Sequence, residues 1–194
     1  MKKNILSVII TLSLLLLIGL FVSCFASELA VTNVRSSSGS YSVTFNNSLV
    51  LKSVRLKKVG DNYFIVLPEY VAKNKRVYPQ ARVLTKEANI AVIDAMLKGK
   101  TSTNTTLKLE YAVKKISQYQ KKSNLKAFVT IVFNEALELE FKLISTRNGL
   151  WLAPASIKTG DKYKQIVDIL DKDLSDSIER EVIDKYNKIA NDEY

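Results

Sequence analysis

The chain contains no histidine, and its single cysteine is Cys24. Without histidine there is no usual general base near neutral pH, no imidazole metal ligand and no middle member for a hydrolase triad. One cysteine cannot form an intramolecular disulfide or assemble a thiolate metal site, so the fold has to hold by packing alone. These absences weigh against an enzyme, imply no cofactor, and leave no small-molecule substrate site evident. The 194 residues leave room for one or two domains of ordinary size. Two small units also suit that length. A unit of about 60 to 80 residues buries only ~60% of its unfolded surface, so each would gain by packing on the other.

Positive charge, by contrast, is plentiful: the formal net charge is +10. It is unevenly placed, with 12 Lys/Arg against 5 Asp/Glu in residues 28–100 and 15 against 14 in residues 101–194. A polyanion contact is therefore expected on the first half.

Lys2 and Lys3 precede an uncharged, largely apolar run through Ser27, the basic and hydrophobic regions of an export signal. Residues 1–27 are accordingly set apart from the fold. Three outcomes compete: cleavage after Ala26, lipidation of Cys24 within Phe21-Val22-Ser23-Cys24, and an uncleaved anchor, since ~20 apolar residues can span a bilayer. The placement of the only cysteine at the end of the apolar run favours lipidation. All three put the remainder outside the cytoplasm, attached to the outer face of a membrane where the anchor or lipid is kept.

Past this segment the chain repeats itself. Residues 49–68 read as a strand, a Gly60-Asp61-Asn62 turn and an apolar strand ending at Pro68, and residues 137–155 follow the same plan at one offset. Val54-Arg55-Leu56 answers Phe141-Lys142-Leu143, and Tyr63-Phe64-Ile65-Val66 answers Leu150-Trp151-Leu152-Ala153. Turn signals at residues 36–40, at Asn46-Asn47 and at Asn148-Gly149 separate alternating, β-prone segments. The phase shift at Lys52-Ser53 predicts a bulge. Residues 107–114 alternate as a strand, and residues 69–78 read as a loop. Each copy ends in a helix. Thr85 caps one over residues 86–97, apolar enough to be buried on most sides, and Asp173 caps one over residues 174–190 with a charged outer face. The units divide as residues 28–100 and 107–194, joined by a polar linker over 101–106.

Val31-Thr32-Asn33-Val34-Arg35, Val54-Arg55-Leu56, Phe64-Ile65-Val66-Leu67-Pro68 and Asp94-Ala95-Met96-Leu97 in the first copy resemble the SpoVG family, the bacterial septation and sporulation protein G. Phe141-Lys142-Leu143, the run from Asn148 to Ala153 and the segment from Ile178 to Tyr186 carry the same resemblance in the second. The resemblance implies an α+β fold of two tandem repeats. Each is a twisted antiparallel sheet followed by a C-terminal helix, and the two pack as an intramolecular pseudo-dimer. Family members are small cytoplasmic dimers, several of which bind DNA or RNA as regulators. This chain departs from them in its export signal and in lacking the histidine that the family carries after its basic loop.

The candidate binding residues are Lys73, Lys75 and Arg76, with Arg82 beyond and Tyr70 and Tyr78 beside them, basic groups interleaved with aromatics of the kind that contact phosphates and stack on bases. Lys57 and Lys58, with Arg55, extend the patch. Trp151 and Phe64 read as core aromatics. Glu138, Glu140 and Lys142 share one strand face and read as a solvated edge with a salt bridge rather than a catalytic pair. Asp168, Asp171, Asp173 and Asp176 lack the glycine and terminal glutamate of a calcium loop. The chain is thus expected to be a non-enzymatic, exported, lipid-anchored binding module that docks a polyanion or a protein partner through its basic first repeat. A cytoplasmic nucleic-acid-binding regulator and a structural envelope protein are the alternatives.

Overall fold

The computed structural model describes residues 28–72, 74–104, 106–159 and 162–192. The segment 1–27 with Cys24, the candidate Lys73 and the turn at Gly160-Asp161 lie outside the described residues. The first copy runs β1 (Val31–Ser37), β2 (Ser40–Phe45), β3 (Leu49–Val59), β4 (Asn62–Val66), β5 (Glu69–Val71), β6 (Val77–Pro79), β7 (Ala81–Val83) and helix α1 (Lys86–Lys98). The second runs β8 (Tyr111–Gln118), β9 (Leu125–Phe133), β10 (Leu137–Thr146), β11 (Gly149–Ala153), β12 (Ser156–Thr159), β13 (Lys162–Gln165), β14 (Val167–Ile169) and helix α2 (Lys172–Asp192). The fold is α+β, with antiparallel sheets and a helix after each run of strands.

The strand registers of the two halves correspond. Phe45↔Leu49 and Val43↔Leu51 in the β2–β3 ladder become Phe133↔Leu137 and Ile131↔Leu139 in β9–β10, an offset of 88 residues. Beyond that, Tyr41↔Val54 becomes Val129↔Phe141, and Leu56↔Ile65 becomes Leu143↔Leu152, so β3 is now offset by 87. The residue lost between them is the bulge. Ser53 sits at φ +63 where the β2–β3 register shifts, and β10 passes the same point without an extra residue. The bulge read from the sequence is therefore one inserted residue that distinguishes the copies.

The copies exchange strands. β7 of the first copy pairs with β10 of the second, as Ala81↔Leu139, Arg82↔Glu138 and Val83↔Leu137. β14 of the second pairs with β3 of the first, as Val167↔Leu51, Asp168↔Val50 and Ile169↔Leu49. The flanking backbone bonds match as well: Glu140 N donates to Gln80 O at 3.1 Å and Lys52 N to Ile166 O at 2.7 Å. Each sheet is thus completed by the other half of the chain, which is the pseudo-dimer. A shared core results, in which Phe45, Leu49, Leu51, Ile131, Phe133, Leu137, Leu139 and Leu143 are essentially fully buried. Each such side chain stabilises by about 1.5–3 kcal/mol relative to exposure.

Two buried asparagines fasten the halves at the β2–β3 and β9–β10 turns. Asn46 and Asn134 both hold φ +46, a left-handed conformation asparagine tolerates better than most residues. Asn46 Oδ1 accepts from Ala30 N at 2.8 Å, while its Nδ2 donates to Glu28 O at 3.0 Å and, across the repeat boundary, to Lys108 O at 2.9 Å. Asn134 mirrors it, accepting from Glu110 N at 3.1 Å and donating to Lys108 O at 3.2 Å and Glu28 O at 3.5 Å.

Several local expectations change. Residues 69–79 form the β5–β6 hairpin rather than a loop. In the second copy the strand begins at Tyr111, with Leu107 and Leu109 preceding it. Helix α1 is capped by Thr85 as expected, and Gly99 ends it at φ +64. It is two-faced, however: Ala88, Val92, Ala95 and Met96 are buried while Ile90 and Leu97 face outward, because α1 packs on β1, β4 and β7 from one side only. In α2, Ile178 and Val182 are fully buried, and the cap is Asp171, whose Oδ1 accepts from Leu174 N at 3.1 Å. Asp173 instead lies in the first turn. Phe64 and Trp151 are not core; they are 51% and 47% exposed. Along β11, Leu152 is buried on the α2 side, which leaves its neighbour Trp151 on the uncovered face.

Candidate functional site

The basic candidates fall into separate places. Lys75 and Arg76 are exposed in the β5–β6 turn, which is closed by Ala72 N to Arg76 O at 2.8 Å and Lys75 N to Ala72 O at 2.9 Å. Lys75 adopts φ +63, and Asn74 Oδ1 accepts from Arg76 N at 3.2 Å. Behind the turn the Tyr70 and Tyr78 rings sit 6.4 Å apart, so the aromatics do flank the cations. Lys57 and Lys58 belong to another hairpin, β3–β4, where they pair with Phe64 and Tyr63, and the Lys58 ammonium lies 5.7 Å from the Tyr63 ring centroid. Arg82 is committed elsewhere: its Nε bonds Glu138 Oε1 at 3.0 Å in the β7–β10 seam.

What sequence reasoning missed is the second hairpin. β12–β13 is the counterpart of β5–β6 and packs against β5. It carries Lys158, Lys162 and Lys164, all exposed, and Tyr163, 61% exposed. A signal existed, because the duplicated plan puts this hairpin where the first copy has its basic one. Averaged charge concealed it, since the acids of α2 and its approach cancel these lysines in the total for the second half.

The two hairpins meet over Lys142 of β10. Its Nζ stands 5.6 Å from the Tyr70 ring centroid and 5.5 Å from that of Tyr163, one ring from each repeat. A cation against two aromatic faces is attracted by both quadrupoles. Burial holds the Lys142 ammonium below its ordinary pKa, an effect partly offset by Glu140. Burial also pushes the Glu140 carboxyl above its ordinary value, outweighing the attraction of Lys142 and Arg82. Glu138, Glu140 and Lys142 are therefore not a solvated edge. β10 is an interior strand with β9 on one side and β7 and β11 on the other.

The acids near α2 have structural partners. Asp168 pairs with Lys52 and accepts from Gln165 Nε2 at 2.8 Å, Asp171 caps the helix, and Asp176 pairs with Lys172 at 3.3 Å. Among the described residues no group of three potential ligand side chains could hold a metal ion, and no helix is long and apolar enough to cross a membrane.

Fold and surface together define a class: a strand-exchanged α+β pseudo-dimer that presents two basic, tyrosine-bearing hairpins side by side. The SpoVG family profile matches residues 110–188, the bulk of the second copy. The chain is 30% identical over 79 residues to a SpoVG septation protein of Clostridium perfringens, a span covering 40% of this chain and 88% of that protein. It is 32% identical over 71 residues to the corresponding protein of Clostridium kluyveri, covering 36% and 74%. The chain belongs to the SpoVG family. These relatives are named for septation, and the names state no enzymatic activity. No solved structure matches the chain. The profile match falls on the second copy; the first shows corresponding strand registers.

Proposed function

We propose that this protein is a non-enzymatic polyanion-binding module, exported and held at the outer face of a membrane by a lipid on Cys24, whose contact surface is the paired β5–β6 and β12–β13 hairpins. The observation that carries this reading is the meeting of the hairpins over Lys142, with Tyr70 and Tyr163 against it and Lys75, Arg76, Lys158, Lys162 and Lys164 exposed on the same two hairpins. Exposed cations release counterions from a polyanion, and exposed rings offer stacking faces to unpaired bases. Lys73 belongs to the same sequence cluster, and Lys57 and Lys58 supply a further basic strip on the β3–β4 hairpin.

Binding of heparin and of a single-stranded oligonucleotide, titrated against salt, tests the surface. Affinity should fall steeply with salt, with a slope of about −0.7 per neutralised phosphate on a single strand. Replacing Lys73, Lys75, Arg76, Lys158, Lys162 and Lys164 by glutamine should flatten that slope, while Lys57→Gln with Lys58→Gln should cost less. Salt-insensitive association of the wild type would instead favour a structural envelope protein. Metabolic labelling with a fatty acid tests the anchor: wild type should be labelled and Cys24→Ala should not. Unlabelled wild type in the cytosol would favour the cytoplasmic regulator.

A further inference from the structure

The two exchanged seams share their register and their apolar flanks and differ in the charges they carry. Each docks three residues on the same stretch of the opposite sheet, Ala81-Arg82-Val83 on Leu137–Leu139 and Val167-Asp168-Ile169 on Leu49–Leu51. Both flanks are apolar in each case, and the bracketing backbone bonds match: Leu84 N donates to Ala136 O at 2.8 Å where Leu170 N donates to Ser48 O at 2.7 Å. Neither the backbone nor the apolar flanks can therefore tell one docking sheet from the other. The central residue can. In one seam the strand is positive and the sheet negative, Arg82 against Glu138. In the other the strand is negative and the sheet positive: Asp168 lies opposite Val50 and pairs diagonally with Lys52.

We infer that this inverted polarity is a pairing code that directs each seventh strand to the sheet of the other repeat and away from that of its own. The pseudo-symmetry fixes what the wrong pairings would contain. β7 on β3 would bring Arg82 beside Lys52, and β14 on β10 would bring Asp168 against Glu138 and beside Glu140, because Lys52 and Glu140 are equivalent positions. Like charges across a ladder destabilise it where opposite charges stabilise it, most where they are directly opposite, as Asp168 and Glu138 would be, and less on the diagonal, as Arg82 and Lys52 would be. The same repulsion applies within one chain and between two, so it also disfavours swapped oligomers built from like repeats. Covalent fusion of the repeats makes the inversion possible, since a symmetric dimer of identical chains must carry the same polarity at both seams. The partner this surface fits is the other repeat of the same chain. Specificity comes from making the wrong pairings repulsive as well as the right ones attractive.

Cysteine trapping in the full chain, in a Cys24→Ala background, reports the pairing directly. Val83→Cys with Leu137→Cys reads the observed seam, where the two residues are directly opposite. Val83→Cys with Leu49→Cys reads the wrong one, because Leu49 is the equivalent of Leu137. With the native charges, mild oxidation should close the first pair and not the second. Exchanging the two central residues, Arg82→Asp with Asp168→Arg, should invert that ratio, whether the new bond forms within a chain or between two. Adding Lys52→Glu and Glu138→Lys should restore it. Persistence of the 83–137 cross-link as the dominant product in the exchanged variant overturns the inference. Should that variant fail to fold, recovery of the 83–137 cross-link on adding the second pair of substitutions supports it, and failure to recover overturns it.

Discussion

Replacing Asn46 by alanine attacks the fold at the point where both repeats converge. The residue is 2% exposed, sits at φ +46, and makes three side-chain hydrogen bonds, one of them to Lys108 in the other repeat. Alanine removes the acceptor from a buried Ala30 N–H, which costs about 1–3 kcal/mol when left unsatisfied, whereas the Glu28 and Lys108 carbonyls keep their bonds from Asn134 Nδ2. It also places a residue with no local side-chain hydrogen bond in the left-handed region, at about 1–2 kcal/mol. Together these predict a loss of about 3–4 kcal/mol, which for a chain of this size lowers Tm by about 10 °C. Urea titration followed by circular dichroism measures it as a lower midpoint at unchanged slope.

The contributions separate by substitution. Asn46→Gly relieves the left-handed strain but not the lost bonds, so it should recover about 1 kcal/mol of the alanine deficit. Asn46→Asp keeps the acceptor for Ala30 N–H but turns an oxygen toward the carbonyls of Glu28 and Lys108, so it should be no better than alanine at neutral pH. Asn134→Ala, at the mirrored position, should cost a comparable amount. A loss below about 1 kcal/mol for Asn46→Ala would place its bonds among ordinary exposed ones and refute its role as a fastener between the repeats.

Glu140 gives a pH signature. Burial raises its folded pKa above the ordinary 4.5, so the folded state holds this proton more tightly than the unfolded one. The stability that proton confers is present below the unfolded value and lost as pH rises through the raised folded value. Glu140→Gln should therefore be more stable than wild type at pH 7, with the difference closing as pH approaches 4.5; thermal melts across that range decide it. Thr85→Ala removes the acceptor 3.2 Å from Ala88 N and should cost about 1 kcal/mol by denaturant titration, as should Asp171→Ala at the equivalent cap of α2. In the exchanged-charge variant Arg82→Asp with Asp168→Arg, Tm should fall by a few degrees, roughly 4 °C, and return when Lys52 and Glu138 are reversed as well.

Local chemistry was legible in the sequence wherever the determinant lay within a few residues. Asn46-Asn47, Gly60-Asp61 and Asn148-Gly149 each turn the chain between paired strands. The phase shift at Lys52-Ser53 is a bulge because period two leaves no other way to keep Leu49, Leu51 and Val54 on the buried face. Apolar content misled where a strand or helix has only one covered side. Phe64, Trp151, Ile90 and Leu97 look like core by composition, but the helix and the sheet it packs on cover only each other's facing sides.

What no local pattern can specify is which sheet receives a three-residue strand. Ala81-Arg82-Val83 fits any sheet edge with apolar flanks, and Val167-Asp168-Ile169 is its near twin. Only comparison of distant positions, Arg82 with Glu138 and Asp168 with Lys52, distinguishes the two destinations. The same holds for the binding surface. Lys75 and Arg76 are visible as a cluster, but Lys158, Lys162 and Lys164 sit on a hairpin distant in sequence that joins the first through the contact of β12 with β5. Each exchanged strand directly follows its hairpin in the chain, β7 after β6 and β14 after β13, so the seams and the basic surface are linked. Variants that open a seam should therefore weaken polyanion binding even though they remove no lysine from the hairpins. Loss of heparin affinity in Arg82→Asp with Asp168→Arg, and its return with Lys52→Glu and Glu138→Lys, would link the two. Undiminished affinity in a variant shown by cross-linking to have changed partners would mean that each hairpin binds on its own.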